Sequence, residues 1–158
     1  MVGAHPTGKA HPDETERCAS DTRVARNTVI VLDASVVVEL LTNGPLADPL
    51  RRDLAGRSVP FLVPHLLDVE VASALRNLSS GQRIDSHRSD QLLAELAALP
   101  AERYAHTPLL GRIWELRHNF TAYDAAYIAL AEATGSVLYT CDEKLRKGHR
   151  AQVALFAR

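Results

Sequence analysis

The chain has 158 residues, 46% hydrophobic, 23% charged and 5% aromatic, which suits one domain with a packed core and excludes a disordered chain. Lys plus Arg number 18 against 19 for Asp plus Glu, a formal net charge of −1, so total charge shows none of the basic excess usual in a nucleic-acid binder. Two cysteines, Cys18 and Cys141, exclude a disulfide scaffold or a cysteine-rich zinc site and fit a reducing compartment.

Residues 1–27 lack a periodic apolar pattern. Their charges cancel, with Lys9, Arg17, Arg23 and Arg26 against Asp13, Glu14, Glu16 and Asp21. Such a stretch cannot bury enough apolar surface to offset its ordering entropy. It reads as a flexible extension, with the folded domain over 28–158. No apolar run reaches the roughly 18 residues of a membrane span. Met1-Val2-Gly3-Ala4-His5-Pro6 lacks the apolar stretch of a secretory leader. A cytoplasmic protein without a membrane segment is expected.

The first regular element is Thr28-Val29-Ile30-Val31-Leu32, short, β-branched and continuously apolar, as in a buried parallel strand. A helix follows over about 34–42, stopped by Asn43-Gly44-Pro45, and a second over about 46–55. Val59-Pro60-Phe61-Leu62-Val63 reads as the next strand. Pro64 is read as opening a long helix that ends at Ser80-Gly81. Asp85-Ser86 caps a helix to about Leu99, and Glu102 to His106 is a weak strand. Thr107-Pro108 starts a helix to about His118, and Thr121 starts another that ends at Gly135. Ser136 to Thr140 is a clear strand, followed by a short helix near 143–147 and a terminal strand at 152–156. Strands alternate with helices, so the fold class is α/β with a parallel sheet.

Four acids fall at unusual places. Asp33 and Asp142 directly follow strands, where ligands bind in open α/β sheets; both also suit a helix N-cap. Glu70 lies beside the apolar stripe of Leu67, Val71, Ala74, Leu75 and Leu78, where a carboxylate needs a partner or must reach water. Asp124 makes a capping-box pattern with Thr121, yet shares a face with Tyr127, Ile128 and Ala131, which should point inward. If the sheet gathers these acids, their mutual repulsion raises their pKa values and a divalent cation relieves it. Hard oxygen ligands suit Mg²⁺ or Mn²⁺.

The residues resemble those of PIN-domain ribonucleases, specifically the VapC toxins of bacterial toxin–antitoxin pairs. The matching stretches are Val31-Leu32-Asp33-Ala34-Ser35, Glu70 through Arg76, Arg117-His118-Asn119-Phe120-Thr121-Ala122-Tyr123-Asp124 through Glu132, and Leu138-Tyr139-Thr140-Cys141-Asp142. The resemblance implies an αβα sandwich around a parallel sheet of four or five strands. It implies a Mg²⁺- or Mn²⁺-dependent endoribonuclease toxin that leaves a 5′-phosphate and a 3′-hydroxyl. By matching position Asp33, Glu70, Asp124 and Asp142 form the catalytic metal site, with Glu70 either a ligand or the residue orienting the attacking water. Ser35 and Thr140 are supporting hydroxyls or ordinary cap and turn hydroxyls, and Asn119 lies near the site. Arg112 and Arg117 either meet RNA phosphates or form salt bridges. Trp114 reads as a core or dimer contact rather than a base-stacking platform. The expected partners are an RNA substrate, a VapB-type antitoxin and a second copy of the chain. Two other readings are a non-catalytic PIN-like interaction module and a metal-dependent phosphatase with Asp33 as nucleophile. The latter lacks its usual second Asp, since Ser35 stands two residues on.

Overall fold

Five short runs become the strands of a single sheet in the computed structural model, which describes residues 28–157; the three central ones are rich in Val, Ile and Leu. The extension expected over 1–27 lies outside the described residues. The strands are β1 (Ile30–Leu32), β2 (Phe61–Pro64), β3 (Ala101–Tyr104), β4 (Val137–Thr140) and β5 (Gln152–Leu155). Their order is β3-β2-β1-β4-β5, and every neighbouring pair is parallel. Val31 lies opposite Leu62 on one side and Leu138 on the other. β1 and β4 are buried along their whole length, which explains why they read as continuous apolar runs rather than alternating ones.

Among the described residues six α-helices cover the sheet: α1 (Ala34–Thr42), α2 (Ala47–Leu54), α3 (Leu66–Ser80), α4 (Ser86–Ala97), α5 (Leu110–Glu115) and α6 (Ala122–Thr134). The chain builds β1, β2 and β3 outward in one direction, then returns past β1 to lay down β4 and β5. Right-handed crossovers therefore put α1–α4 on one face and α5–α6 on the other. This is the αβα sandwich expected from sequence. In α6, seven consecutive residues from Ala125 to Ala131 are buried, as a helix enclosed on all sides requires. Tyr127, Ile128, Leu138 and Tyr139 are among the core's largest buried side chains.

Three boundaries differ from the sequence reading. β2 begins at Phe61 and includes Pro64, so the proline closes a strand instead of opening α3. Pro64 pairs only with Tyr104 of β3, beyond the last β1–β2 pair, where no donor from it is needed. β3 starts at Ala101, and its alternating burial marks an edge strand. The helix expected over 107–118 is divided: 3-10 turns at Thr107–Leu109 and Leu116–His118 flank a short α5.

Candidate active site

The return of the chain past β1 makes a topological switch point between β1 and β4. Crevices at the carboxyl ends of such strands are where open α/β sheets bind ligands. Asp33 leaves β1 there and Thr140 ends β4 there.

Asp33 is only 6% exposed. It occupies the N-cap position of α1 but makes no side-chain cap bond. Its Oδ2 instead accepts from the Ser35 hydroxyl and, at 2.8 Å, from Thr140 Oγ1. Ser35 Oγ accepts the Cys141 amide at 2.9 Å, and Thr140 Oγ1 accepts the Asp142 amide at 3.0 Å. The two hydroxyls thus tie the ends of β1 and β4 to one carboxylate. Burial pushes the Asp33 carboxyl above its ordinary range, and the hydroxyls and the amides of Ala34 and Ser35 pull it back only in part.

Glu70, in the second turn of α3, is half-buried, and its Oε2 accepts the Tyr127 hydroxyl at 2.7 Å. Its carboxyl is also pushed up, first by burial and then by the charges of Asp33 and Asp124, against the lowering by Tyr127. Three acids from β1, α3 and α6 therefore share one electrostatic neighbourhood. Tyr127 itself is fully buried, and burial with the same three acids raises its hydroxyl pKa strongly. Sequence reading placed Tyr127 on the Asp124 face but gave it no role. The signal was present, because a buried tyrosine hydroxyl demands a partner.

Asp124 starts α6, where its amide donates to Thr121 Oγ1 at 3.2 Å, the capping half of the expected box. Asp142 is a helix cap as well, its Oδ1 accepting the Lys144 amide at 2.9 Å. Its backbone amide, not its carboxylate, donates to the Thr140 hydroxyl, which in turn donates to Asp33. Cys141 sits between these groups, but burial pushes its thiol up to about 11, so it stays protonated and is no thiolate nucleophile.

Among the described residues, no Lys, Arg or His pairs with Asp33, Glu70, Asp124 or Asp142. No set of three or more His, Cys, Asp or Glu among them closes into a metal-holding cluster either. The donor chemistry nevertheless fits a hard divalent cation: all-oxygen, desolvated, acidic and without cationic counter-groups. The remaining expectations separate. Asn119 is exposed, and its amide closes a turn on the Leu116 carbonyl. Arg112 forms the salt bridge that was one of its two readings, bidentate to Glu132 at 2.7 and 3.1 Å and single to Glu115 at 2.9 Å. Glu132 lies eight residues after Asp124 along α6, about 12 Å at helical rise. Arg117 lies 4.8 Å from the centre of the Trp114 ring and donates to the Trp114 carbonyl. Trp114 is 68% exposed and so is not core.

Comparison with known proteins identifies the family and the fold. The PIN domain model matches residues 30–150. The ribonuclease VapC12 of Mycobacterium tuberculosis is 38% identical over 131 residues, 82% of this chain and 100% of that protein. Two solved structures share the fold. One is M. tuberculosis VapC20, described as a sarcin–ricin loop cleaving toxin, with TM-score 0.58, 17% identity and coverage of 73% of this chain and 92% of that one. The other is VapBC2 of Rickettsia felis bound to a DNA fragment from its promoter, with TM-score 0.61, 11% identity and coverage of 81% and 98%.

Proposed function

The chain belongs to the PIN-domain family, and we propose that it is a VapC-type endoribonuclease, the toxin of a toxin–antitoxin pair. The observation that carries the reading is the convergence of Asp33, Glu70 and Asp124 at the switch point of the sheet, with the Asp33 and Glu70 carboxyls pushed up by burial and no cationic partner to these acids among the described residues. An interaction module has no use for desolvated, unpaired acids, which cost stability.

In this reading Asp33, Asp124 and Asp142 hold Mg²⁺ or Mn²⁺, with Glu70 as a further ligand or as the group that orients water. Bound there, the ion supplies an activated water and neutralises charge on the phosphodiester during in-line displacement. The chain's own part is positional. Ser35 and Thr140 hold the Asp33 carboxylate in one orientation across the β1–β4 gap. Tyr127 holds Glu70 by one oxygen and leaves its other oxygen for the reacting water or the ion. In this reading the toxin acts in the cytoplasm as a homodimer held by a VapB-type antitoxin. Among the described residues no helix is long and apolar enough to cross a membrane.

The test is cleavage of structured RNA by antitoxin-free protein, with products mapped by end sequencing. Mg²⁺ or Mn²⁺ should support cleavage and EDTA should abolish it. Asp33→Asn and Asp124→Asn should each reduce it by more than about 100-fold, beyond the effect typical of groups that only orient a ligand, while circular dichroism shows an intact fold. An Asp124→Asn protein that cuts at the wild-type rate would show the site to be misassigned.

A further inference from the structure

A groove of about 570 Å³ opens directly beside the acids, lined by His65, Val69, Glu70, His106 and Tyr123 among others. Its wall is mainly apolar, and its size is that of sites that take small planar ligands. Val69 is 73% exposed and Tyr123 61%, two of the most exposed large apolar side chains among the described residues. Each immediately precedes a site acid, Val69 before Glu70 and Tyr123 before Asp124. Consecutive helical residues point about 100° apart, so each apolar side chain flanks its acid rather than covering it. The groove is therefore continuous with the candidate active site through Glu70 itself. His65 and His106 are exposed and bring imidazole donors and acceptors to its rim.

We propose that this groove is a base-recognition subsite, holding one unstacked nucleobase next to the scissile phosphodiester of an RNA strand. The proposal rests on the ribonuclease reading and deepens it. A strand with its reacting phosphate at the acids has to pass the groove with the adjoining nucleotide. Unpaired bases are read by stacking on aromatic side chains and by hydrogen bonds to their edges. Tyr123 supplies the stacking face, Val69 the apolar floor, and His65 and His106 the edge contacts. An apolar side chain of a protein partner would use the floor but leave both imidazoles unmatched. A base has a polar edge for them.

The experiment is Mg²⁺-supported cleavage of a random-sequence single-stranded RNA pool, with the cut ends sequenced. Wild-type protein should show a base preference at one nucleotide flanking the cut. Tyr123→Ala should flatten that preference and lower kcat/KM on the preferred oligonucleotide by roughly 5- to 150-fold, the range for losing one aromatic stacking contact. Tyr123→Phe, which retains the ring, should restore most of it. An abasic nucleotide at the same position should lower wild-type cleavage by a similar factor and erase the difference between wild type and Tyr123→Ala. His106→Ala provides a second variant on a different loop, read in the same way. A cutting Tyr123→Ala protein with the wild-type base profile overturns the subsite. Loss of antitoxin binding with that profile unchanged also overturns it and assigns the groove to a protein partner. Wild-type protein that cuts no RNA overturns the ribonuclease reading and the subsite with it.

Discussion

At the scale of single residues, the site depends on carboxylates held where they are uncomfortable. Asp33 is buried with no cationic partner among the described residues, and two hydroxyls from different parts of the chain fix its orientation. Tyr127 does the same for Glu70. Tyr127→Phe removes the one described donor to that carboxylate and leaves the core volume nearly unchanged. We expect a loss of about 1–3 kcal/mol in stability, the cost of a half-buried acceptor without its bond, measurable by urea denaturation. We also expect cleavage to fall by roughly 10- to 100-fold, as for other groups that orient a ligand. A variant with normal stability and normal cleavage would remove Tyr127 from the site. The candidate acids and their order were legible in sequence; so was the need of the Tyr127 hydroxyl for a partner, but not which partner, because Glu70 lies 57 residues away and only the fold brings the two together.

At the scale of elements, the Arg112–Glu132–Arg150 cluster joins α5, α6 and the start of the last strand. Glu132 is 8% exposed at its side chain and meets both guanidinium groups as well as the Arg150 amide. Burial pushes its carboxyl up, but the Arg112 and Arg150 bonds and charges outweigh this and hold it at about 2. The folded-state pKa lies below the unfolded value of about 4.5. The cluster's contribution is therefore complete above about pH 4.5 and is lost as pH falls toward 2. This pair of values sets an upper bound of about 3 kcal/mol on the acid-sensitive stability, lowered by solvent screening around the exposed Arg150. Arg112→Ala should reduce the stability near neutral pH and shrink its decline between those limits, by denaturant titration at each pH. A wild-type-like acid profile in Arg112→Ala would refute the assignment. A turn element offers a second check. Gly148 has φ +100°, and a Cβ there would stand 3.2 Å from the Phe120 ring. Gly148→Ala should cost about 1–3 kcal/mol in strain, read as a lowered denaturation midpoint. An unchanged midpoint would mean the turn relaxes freely.

At the scale of the whole molecule, the near-zero net charge conceals an uneven distribution. The first 27 residues are neutral in sum, and without Asp33, Glu70, Asp124 and Asp142 the remainder of the chain carries a formal charge of +3. An acidic centre in a mildly basic domain suits a nuclease that must hold a cation and approach a phosphate backbone. If the acids bind Mg²⁺, the ion stabilises the folded chain by linkage. At 100 times its Kd the gain is about 2.7 kcal/mol. A thermal melt should therefore shift upward with Mg²⁺ in the wild type and much less in Asp33→Asn. A shift of equal size in both proteins would place the ion elsewhere.

The sequence by itself determined the fold class and the succession of strands and helices, and it singled out the four candidate acids. Each of these is written in local pattern: apolar runs with period, breakers such as Asn43-Gly44-Pro45, and carboxylates where a soluble surface would not need them. The strand order β3-β2-β1-β4-β5 agrees with that pattern but was settled by long-range pairing. Tertiary structure alone decided which acids share a neighbourhood, since Asp33, Glu70 and Asp124 come from three elements. It also decided that Arg112 is committed to Glu132 and that Val69 and Tyr123 stand open beside Glu70. The physical reason is the same in each case. A side chain's type and helical face are local properties, whereas its partner is chosen by packing between segments that sequence spacing does not relate.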